Sequence, residues 1–289
     1  MNIHTIILAA GKGTRMNTNL PKVMQPLGGQ TLISHVIQTA KESSEYITVI
    51  VGHQKNILKT HIANLDPNIK TADQDDQLGT AHAVKMASHL IKDDEKILIL
   101  YGDVPLISSK TIEGLIDSGH ECTLLTMQLN DPTGYGRVIT NGQNFALKII
   151  EQKDASEDEL KIEEVFTGIL LIDGSLLRPA LEEIKNQNSA NEYYLTDLVE
   201  ILSGKGVKIK CIHANPAEVL GANNKHELHE LELILRKMSA KKLLEQGITL
   251  IDKTRVDVRG KVVAGKDCSI DVNVILEGDV TFGNNVTIK

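Results

Sequence analysis

The fold is decided by the segment Leu8-Ala9-Ala10-Gly11-Lys12-Gly13-Thr14-Arg15-Met16, with Leu20-Pro21-Lys22 close behind it. It directly follows residues 5–9, a short branched apolar run typical of a buried parallel strand. Two glycines let the backbone approach a polyphosphate with its N–H groups, and Lys12, Arg15 and Lys22 add three cations. Open α/β sheets bind ligands in the loops at the carboxyl ends of their strands. The segment therefore predicts a phosphate-binding loop.

Other interpretations of this loop are weaker. A dinucleotide-binding fingerprint needs a third glycine where Met16 stands, and no clear ribose-binding acid ends the second predicted strand. A Walker loop needs a G-x-x-x-x-G-K-[ST] pattern that this segment lacks. A glycine-rich turn in front of a basic surface remains the purely structural alternative.

Strands and helices alternate outward from the loop. Apolar runs at 46–51 and 96–101 predict further strands, and helices are predicted at 31–42, 54–63 and 79–91. This βαβ alternation predicts a parallel, three-layered α/β sheet. The middle of the chain predicts a mixed insertion and then a long helix. Strands are predicted at 123–129, 136–140, 146–151, 165–172 and 207–212, and helices at 175–185, 195–203 and 224–246.

The hydrophobic period changes to six residues after Ile251. The first apolar series is Val256, Val262, Cys268, Val274, Val280 and Val286, and the second is Val258, Ala264, Ile270, Leu276, Phe282 and Ile288. A six-residue period predicts a prism-shaped parallel β-helix with one short strand per repeat. An antiparallel meander is the alternative.

Composition excludes several classes of protein. A chain of 289 residues predicts two domains, and a net charge of −7 disfavours general binding to nucleic acid or to an anionic membrane. Aromatic residues make up 3% and Trp is absent, which disfavours base-stacking platforms. Cys122, Cys211 and Cys268 form no CxxC pair and are expected to be buried thiols in a reducing compartment. With no signal peptide or long apolar stretch apparent, we expect a cytoplasmic protein.

Several motifs together resemble a known family. Gly11-x-Gly13-Thr14-Arg15 with Pro21-Lys22 resembles the signature of the nucleotide-sugar pyrophosphorylases. Further matching segments are Gln77-Leu78-Gly79-Thr80-Ala81-His82-Ala83, Tyr101-Gly102-Asp103-Val104-Pro105-Leu106, Gly134-Tyr135-Gly136-Arg137, Glu151-Gln152-Lys153-Asp154-Ala155 and Gly221-Ala222-Asn223-Asn224. With the six-residue repeat, they resemble the bacterial bifunctional N-acetylglucosamine-1-phosphate uridylyltransferase/glucosamine-1-phosphate acetyltransferases over essentially the whole chain.

The resemblance implies a domain plan. Residues 1–226 would form a Rossmann-like nucleotide-diphospho-sugar transferase domain with a mixed sheet, and 227–250 a connecting helix. Residues 251–289 would begin a left-handed parallel β-helix. Because the resembled proteins acetylate on later turns and form trimers through the β-helix, we expect this chain to lack acetyl transfer and to be a monomer or weak oligomer.

The resemblance also implies a reaction. UTP and N-acetylglucosamine 1-phosphate would give UDP-N-acetylglucosamine and pyrophosphate, which would feed peptidoglycan and lipopolysaccharide synthesis. The sugar phosphate is already ionised near neutral pH, so catalysis requires positioning and charge neutralisation instead of a general base. We expect no nucleic-acid or membrane partner.

The resemblance implies roles for individual residues. Arg15, Lys22 and Asp103 would be catalytic, and Asp103 and Asn223 would hold Mg²⁺, which favours few carboxylates together with phosphate oxygens. The implied substrate-binding residues are Leu8, Ala9, Ala10, Gly11, Gly13, Lys22, Gln74, Gly79, Thr80, Tyr101, Gly102, Asp103, Gly136, Glu151 and Asn223.

Within that set, Gln74, Gly79 and Thr80 would read the uracil, and Gly136 and Glu151 the sugar. Purely structural roles are open to some of these residues. Asp103 could be a turn or cap residue, and Gln74 could be an exposed loop amide. Asn223 could cap the following helix, although Asn224 could do that instead.

One position departs from the family pattern. Phe166 stands where the family has an asparagine that contacts the sugar, and a phenyl ring cannot hydrogen-bond a hydroxyl. This departure leaves the affinity for the sugar or its identity open.

Two other functions are weighed against uridylyl transfer. One is a related nucleotidyltransferase that uses dTTP or another hexose phosphate, and the other is a non-catalytic protein that binds sugar nucleotides. Hydrolase chemistry is disfavoured because His53 and His82 have no partner at triad spacing.

Overall fold

A computed structural model describes residues 2–289, so Met1, with which the predicted first domain begins, lies outside the described residues. The strands are β1 Ile3–Ala9, β2 Pro26–Leu27, β3 Gln30–Thr31, β4 Tyr46–Val51, β5 Lys70–Asp73, β6 Lys96–Tyr101, β7 Cys122–Gln128, β8 Arg137–Thr140, β9 Phe145–Ile150, β10 Glu164–Asp173, β11 Ile209–His213, β12 Thr249–Leu250, β13 Val256–Ala264, β14 Ser269–Ile270, β15 Val274–Phe282 and β16 Thr287–Ile288. The helices are α1 Leu32–Ser43, α2 Lys55–Leu65, α3 Thr80–Met86, α4 Ser109–Ile116, α5 Gly174–Glu183, α6 Asp197–Gly204, α7 Pro216–Val219 and α8 Lys225–Glu245.

Nine strands form one mixed sheet in the order β5-β4-β1-β6-β10-β7-β11-β9-β8. β1 pairs in parallel with both β4 and β6, and β4 pairs in parallel with β5. β10 is antiparallel to β6 and β7, and β9 is antiparallel to β11 and β8. The predicted α/β class with a mixed sheet is confirmed, and the carboxyl ends of β1, β4, β5 and β6 meet at one edge.

Apolar residues on both faces of the sheet are covered by helices. Ile6 and Leu8 of β1 belong to a cluster with α3, α5 and α6, whereas Ile7 and Ala9 belong to a cluster with α1, α2 and α4. Successive residues of a strand point to opposite faces, so an uninterrupted apolar run suits a strand buried on both sides. The three-layer prediction is therefore confirmed for this region.

The structure differs from the prediction in a few elements. The helix predicted over 79–91 is interrupted at Ala87 (φ −97°, ψ 1°), where α3 gives way to the 3₁₀ turn Ser88–Leu90. Strand β5 was missed because only Ala72 of its four residues is buried. Helix α4 was missed because it spans eight residues and contains Gly114.

Helix α8 packs against the phosphate loop and precedes the C-terminal strands. The four residues predicted to share one face of this helix pack in a single cluster with Met16, Leu27, Leu32, Leu106 and Ala222; they are Leu228, Leu231, Leu235 and Met238. Because Met16 belongs to the phosphate loop and Ala222 immediately precedes Asn223, this cluster fixes both segments against one another.

The strands after Ile251 pair in parallel. β13 and β15 pair over nine residues from Val256↔Val274 to Ala264↔Phe282, and β14 pairs with β16 from Ser269↔Thr287. The antiparallel meander is therefore wrong. Ten of the twelve repeat positions, from Val256 to Ile288, belong to the apolar cluster between these strands. The left-handed β-helix itself stays a prediction.

Two further features bear on the sequence predictions. Cys122, Cys211 and Cys268 are buried and free, as expected of structural thiols. Across residues 2–289, no helix combines the length and apolar character needed to cross a bilayer.

Candidate active site

Most predicted site residues converge at the carboxyl edge of the sheet. Two adjoining clefts of about 410 and 350 Å³ lie there, and both are lined by Tyr101, Asp103 and Asn223. Arg15 lines the first cleft. The predicted residues that line the second are Leu8, Ala9, Ala10, Gly11, Lys22, Gln74, Gly79 and Thr80. Gly13, Gly102, Gly136 and Glu151 are not among the residues that line either cleft.

The phosphate loop has one glycine that the backbone requires. Gly13 has a φ of 58°, and a Cβ there would lie 2.6 Å from Lys22 Cβ. A larger residue would be strained in this left-handed conformation and would displace Lys22. Gly11 is exposed, and a Cβ at that position would meet no atom within 4 Å. Met16 is fully buried, so the third position of a dinucleotide fingerprint serves packing instead.

Lys22, Asp103 and Asn223 form the polar centre of the site. The Lys22 ammonium forms an ion pair with Asp103 Oδ2 and donates a hydrogen bond to Asn223 Oδ1 at 3.1 Å. The Lys22 and Asp103 side chains are only 16% and 13% exposed. Backbone hydrogen bonds fix Asp103, because Gly102 N donates to Leu8 O and Ala222 N donates to Asp103 O.

This centre suits a hard divalent cation. The ammonium of Lys22 already shows that the Asp103 and Asn223 oxygens point at a common positive charge. Residues 2–289 contain no cluster of three or more His, Cys, Asp or Glu side chains that is arranged to hold a metal ion. One carboxylate and one amide oxygen are the sparse protein donor set that Mg²⁺ uses together with phosphate oxygens and water. The residues present therefore fit Mg²⁺.

Glu227 is a site residue that the sequence prediction missed. Its Oε2 accepts hydrogen bonds from the backbone N and from Nδ2 of Asn223, at 2.7 and 3.1 Å. Asn224, and not Asn223, caps α8, because its Oδ1 accepts from His226 N and Glu227 N at 2.9 Å each. The pattern Asn224-x-x-Glu227 is a capping-box signature, a signal that could have identified Glu227.

The three residues predicted to read the base line one cleft, where Gln74 is buried and Gly79 and Thr80 are half-buried. Gln74 is 3% exposed, and its Nε2 donates to Gly79 O at 3.0 Å, so the alternative of an exposed loop amide is wrong. Gly79 has a φ of 116°, and a Cβ there would overlap the Tyr193 backbone. The Thr80 hydroxyl accepts from Leu195 N at 2.9 Å. The segment containing Tyr193 and Leu195 is thus a wall of the site that sequence reasoning missed.

Glu151 and Gly136 lie beside one another, next to Tyr101. Glu151 Oε1 accepts from the Thr196 hydroxyl at 3.0 Å and lies 3.6 Å from a Cβ placed on Gly136. Burial raises the pKa of the Glu151 carboxyl. Burial, with the Glu151 and Asp103 charges, also raises the pKa of the Tyr101 phenol. Tyr101 therefore lies between the influence of two carboxylates, Glu151 and Asp103.

Phe166 belongs to the core. It is 6% exposed and lies in the apolar cluster that includes Val138, Ile149 and Leu195. Its backbone N donates to Gly136 O at 3.0 Å, which ties β10 to the turn before β8. Phe166 thus stabilises the frame around Gly136.

The remaining predicted cations differ in placement. Arg15 is exposed at the rim of the cleft that Asp103 and Asn223 also line. Lys12 is exposed and is not among the residues that line either cleft. Of the three cations in the loop, Lys22 is the one held at the polar centre.

Comparison with known proteins agrees with this architecture. The family described as MobA-like NTP transferase domain matches residues 5–194. Bifunctional protein GlmU of Burkholderia multivorans is 46% identical over 294 residues, and that of Idiomarina loihiensis is 43% identical over 293. These alignments cover 100% of this chain, which spans 64% of the length of the curated relatives.

A solved structure shares the fold. The chain resembles a Bacillus anthracis crystal structure assigned by its name to the glucose-1-phosphate thymidylyltransferases and holding a sucrose. The TM-score is 0.62 at 19% identity, over 80% of this chain and 94% of the other.

Proposed function

This chain belongs to the MobA-like NTP transferase domain family and is a nucleotidyltransferase, and on that basis we propose that it transfers uridylate from UTP to N-acetylglucosamine 1-phosphate. The observation that carries the proposal is the convergence of Lys22, Asp103 and Asn223 beside a glycine-containing loop. Identity of 43–46% to proteins named GlmU supports it further.

The chemical step is an in-line displacement. A phosphate oxygen of the sugar phosphate forms a bond to the α-phosphorus of UTP, and the bond from that phosphorus to the bridging oxygen breaks. The electron pair leaves with pyrophosphate. No proton has to be removed from the nucleophile, so the enzyme contributes position and positive charge.

Lys22 and Arg15 would supply protein charge to the phosphates. Lys22 is preorganised within the cleft by Asp103 and Asn223, whereas Arg15 reaches from the rim and can fork two phosphate oxygens. With Mg²⁺ held by Asp103 and Asn223, the additional charge would stabilise the oxyanions that develop during transfer. Gly11 and Gly13 allow the backbone of the loop to approach the phosphates.

Base and sugar would bind on opposite sides of Tyr101. Gln74 is buried and donates to Gly79 O, and together with Thr80 these residues would offer polar groups to the alternating carbonyl and N–H pattern of uracil. Glu151, next to Gly136, would accept a hydrogen bond from a sugar hydroxyl.

We also propose the domain plan with the boundaries given by the sequence. Residues 1–226 would form the catalytic domain, 227–250 the connecting helix and 251–289 the start of a left-handed parallel β-helix. An offset of 18 residues between paired positions, as in Val256↔Val274, supports the β-helix, since it equals three six-residue repeats.

A matrix of nucleotides and sugar phosphates tests the function. Pyrophosphate release is measured with UTP or dTTP against N-acetylglucosamine 1-phosphate or glucose 1-phosphate, with and without Mg²⁺. We expect the highest kcat/KM for UTP with N-acetylglucosamine 1-phosphate. A preference for dTTP or for glucose 1-phosphate contradicts the proposed specificity, and sugar-nucleotide binding with no turnover contradicts catalysis.

A further inference from the structure

The orientation of the Asn223 side chain is selected by one carboxylate. An amide can turn over and exchange its oxygen with its nitrogen, and only one orientation presents an oxygen to a cation. Asn223 Nδ2 donates to Glu227 Oε2 at 3.1 Å, which directs Asn223 Oδ1 toward Lys22 and Asp103. An ionised carboxylate only accepts hydrogen bonds, so the reversed amide would set oxygen against oxygen.

Glu227 is itself held in place. Its Oε1 accepts from Asn224 Nδ2 at 2.6 Å, and its backbone N donates to Asn224 Oδ1 at 2.9 Å. A second bond to Asn223, from the backbone N to Oε2 at 2.7 Å, fixes the peptide as well as the side chain. Both carboxylate oxygens are therefore engaged with neighbouring donors in the first turn of α8.

We propose that Glu227 is a positioning residue for the divalent cation, acting by locking the Asn223 amide with its oxygen toward Asp103. The inference rests on the proposed function, because it needs the cation to bind between Asp103 and Asn223. Glu227 does not ligate the cation in this proposal, since its two oxygens already accept three hydrogen bonds.

The neighbouring chain provides matched controls. Glu230 lines the same cleft as Glu227 and is exposed, so Glu230→Gln removes an equal charge without touching Asn223. Asn224→Ala removes the helix cap and the donor to Glu227 Oε1 but leaves both Asn223–Glu227 hydrogen bonds available, so it loosens Glu227 without removing it. Glu227→Gln preserves the size of the side chain. Its amide nitrogen cannot accept a hydrogen bond, so it loses the bond from a donor of either Asn223 or Asn224.

The test measures cation affinity without turnover. Mn²⁺ binding to the full chain is followed by electron paramagnetic resonance with saturating UDP-N-acetylglucosamine and no pyrophosphate, and circular dichroism confirms folding. Loss of a group that orients a metal ligand typically weakens metal binding about 10- to 100-fold, and we expect this for Glu227→Ala, with a smaller loss for Glu227→Gln. Glu230→Gln should stay within about 2-fold of the wild type, and Asn224→Ala should fall between Glu230→Gln and Glu227→Ala.

A double-mutant cycle separates positioning from direct ligation. If Glu227 acts only through Asn223, adding Glu227→Ala to Asn223→Ala should change Mn²⁺ affinity by less than about 2-fold. An equal loss in both backgrounds would show that Glu227 acts on the cation itself and would overturn the inference.

The Asp103→Asn variant separates this inference from the proposed function. If Asp103→Asn weakens Mn²⁺ binding while both Glu227 variants bind like the wild type, the positioning role alone is wrong. If Asp103→Asn leaves Mn²⁺ affinity unchanged, the cation does not bind at this centre, and the inference fails together with the metal assignment in the proposed function.

Discussion

Replacing Asp103 by Asn is the sharpest perturbation of the polar centre. Asp103 is 13% exposed on its side chain, and its carboxylate pairs with Lys22. The substitution removes one charge but keeps an oxygen that can accept from the Lys22 ammonium. The hydrogen bond from Ala222 N to the Asp103 carbonyl, at 3.2 Å, belongs to the backbone and is unaffected. We therefore expect a folded protein whose free energy of unfolding falls by only about 1 kcal/mol.

The effect on catalysis should be far larger. Removing one preorganised electrostatic group from a transition state costs about 3–4 kcal/mol, which corresponds to a loss of roughly 10²- to 10³-fold in kcat. Asp103 is the only carboxylate in the proposed cation-binding pair, so no second anionic ligand compensates for its loss. The concentration of Mg²⁺ that gives half-maximal activity should rise as well.

The assay is steady-state pyrophosphate release during a Mg²⁺ titration, with UTP and N-acetylglucosamine 1-phosphate saturating. Glu230→Gln is the control, since it removes the same charge from the rim of the same cleft. A folded Asp103→Asn enzyme that keeps near-wild-type turnover at saturating Mg²⁺ would refute the assignment of Asp103.

Three further predictions follow from individual side chains. Arg15→Ala should lower kcat about 100-fold with little change in the KM for UTP. This loss is at the lower end of the range for a group that stabilises a transition state, because Arg15 is exposed. An effect confined to KM would contradict this prediction. Phe166→Asn should cost about 3–5 kcal/mol in urea unfolding, against about 1 kcal/mol for Phe166→Leu. Burial and the Glu151 charge raise the pKa of Asp197 to about 6, so the contribution of Asp197 to folding stability falls as pH rises from about 4 through 6. Asp197→Asn should therefore stabilise the protein by about 1–2 kcal/mol at pH 8 and by almost nothing at pH 4, as measured by thermal unfolding.

The fold was predictable wherever local signals were strong. Buried strands such as β1 and β6 are uninterrupted apolar runs, and α8 carries its apolar residues on one face. Strand β5 gave no such signal, because its residues are mostly not apolar. It forms by pairing in parallel with β4. The antiparallel insertion of β10 between β6 and β7 depends on long-range pairing, which no local period encodes.

The candidate site was predictable through its loops but not through its supporting contacts. Lys22, Asp103 and Asn223 each stand in a recognisable segment, and their meeting follows from the shared edge of the sheet. The close approach of the Tyr193 backbone to Gly79 and the burial of Phe166 depend on which segments the fold brings together. Gly136 and Glu151 are adjacent but lie outside the linings of both clefts.

The most direct test of the central claim follows the α-phosphorus of the nucleotide. The full chain is incubated with UTP labelled with ³²P at the α position, N-acetylglucosamine 1-phosphate and Mg²⁺, and the products are separated. We predict that the label appears in UDP-N-acetylglucosamine and that unlabelled pyrophosphate is released in equal amount. Label found in UMP or left in UTP, with no labelled sugar nucleotide, would contradict uridylyl transfer by this protein.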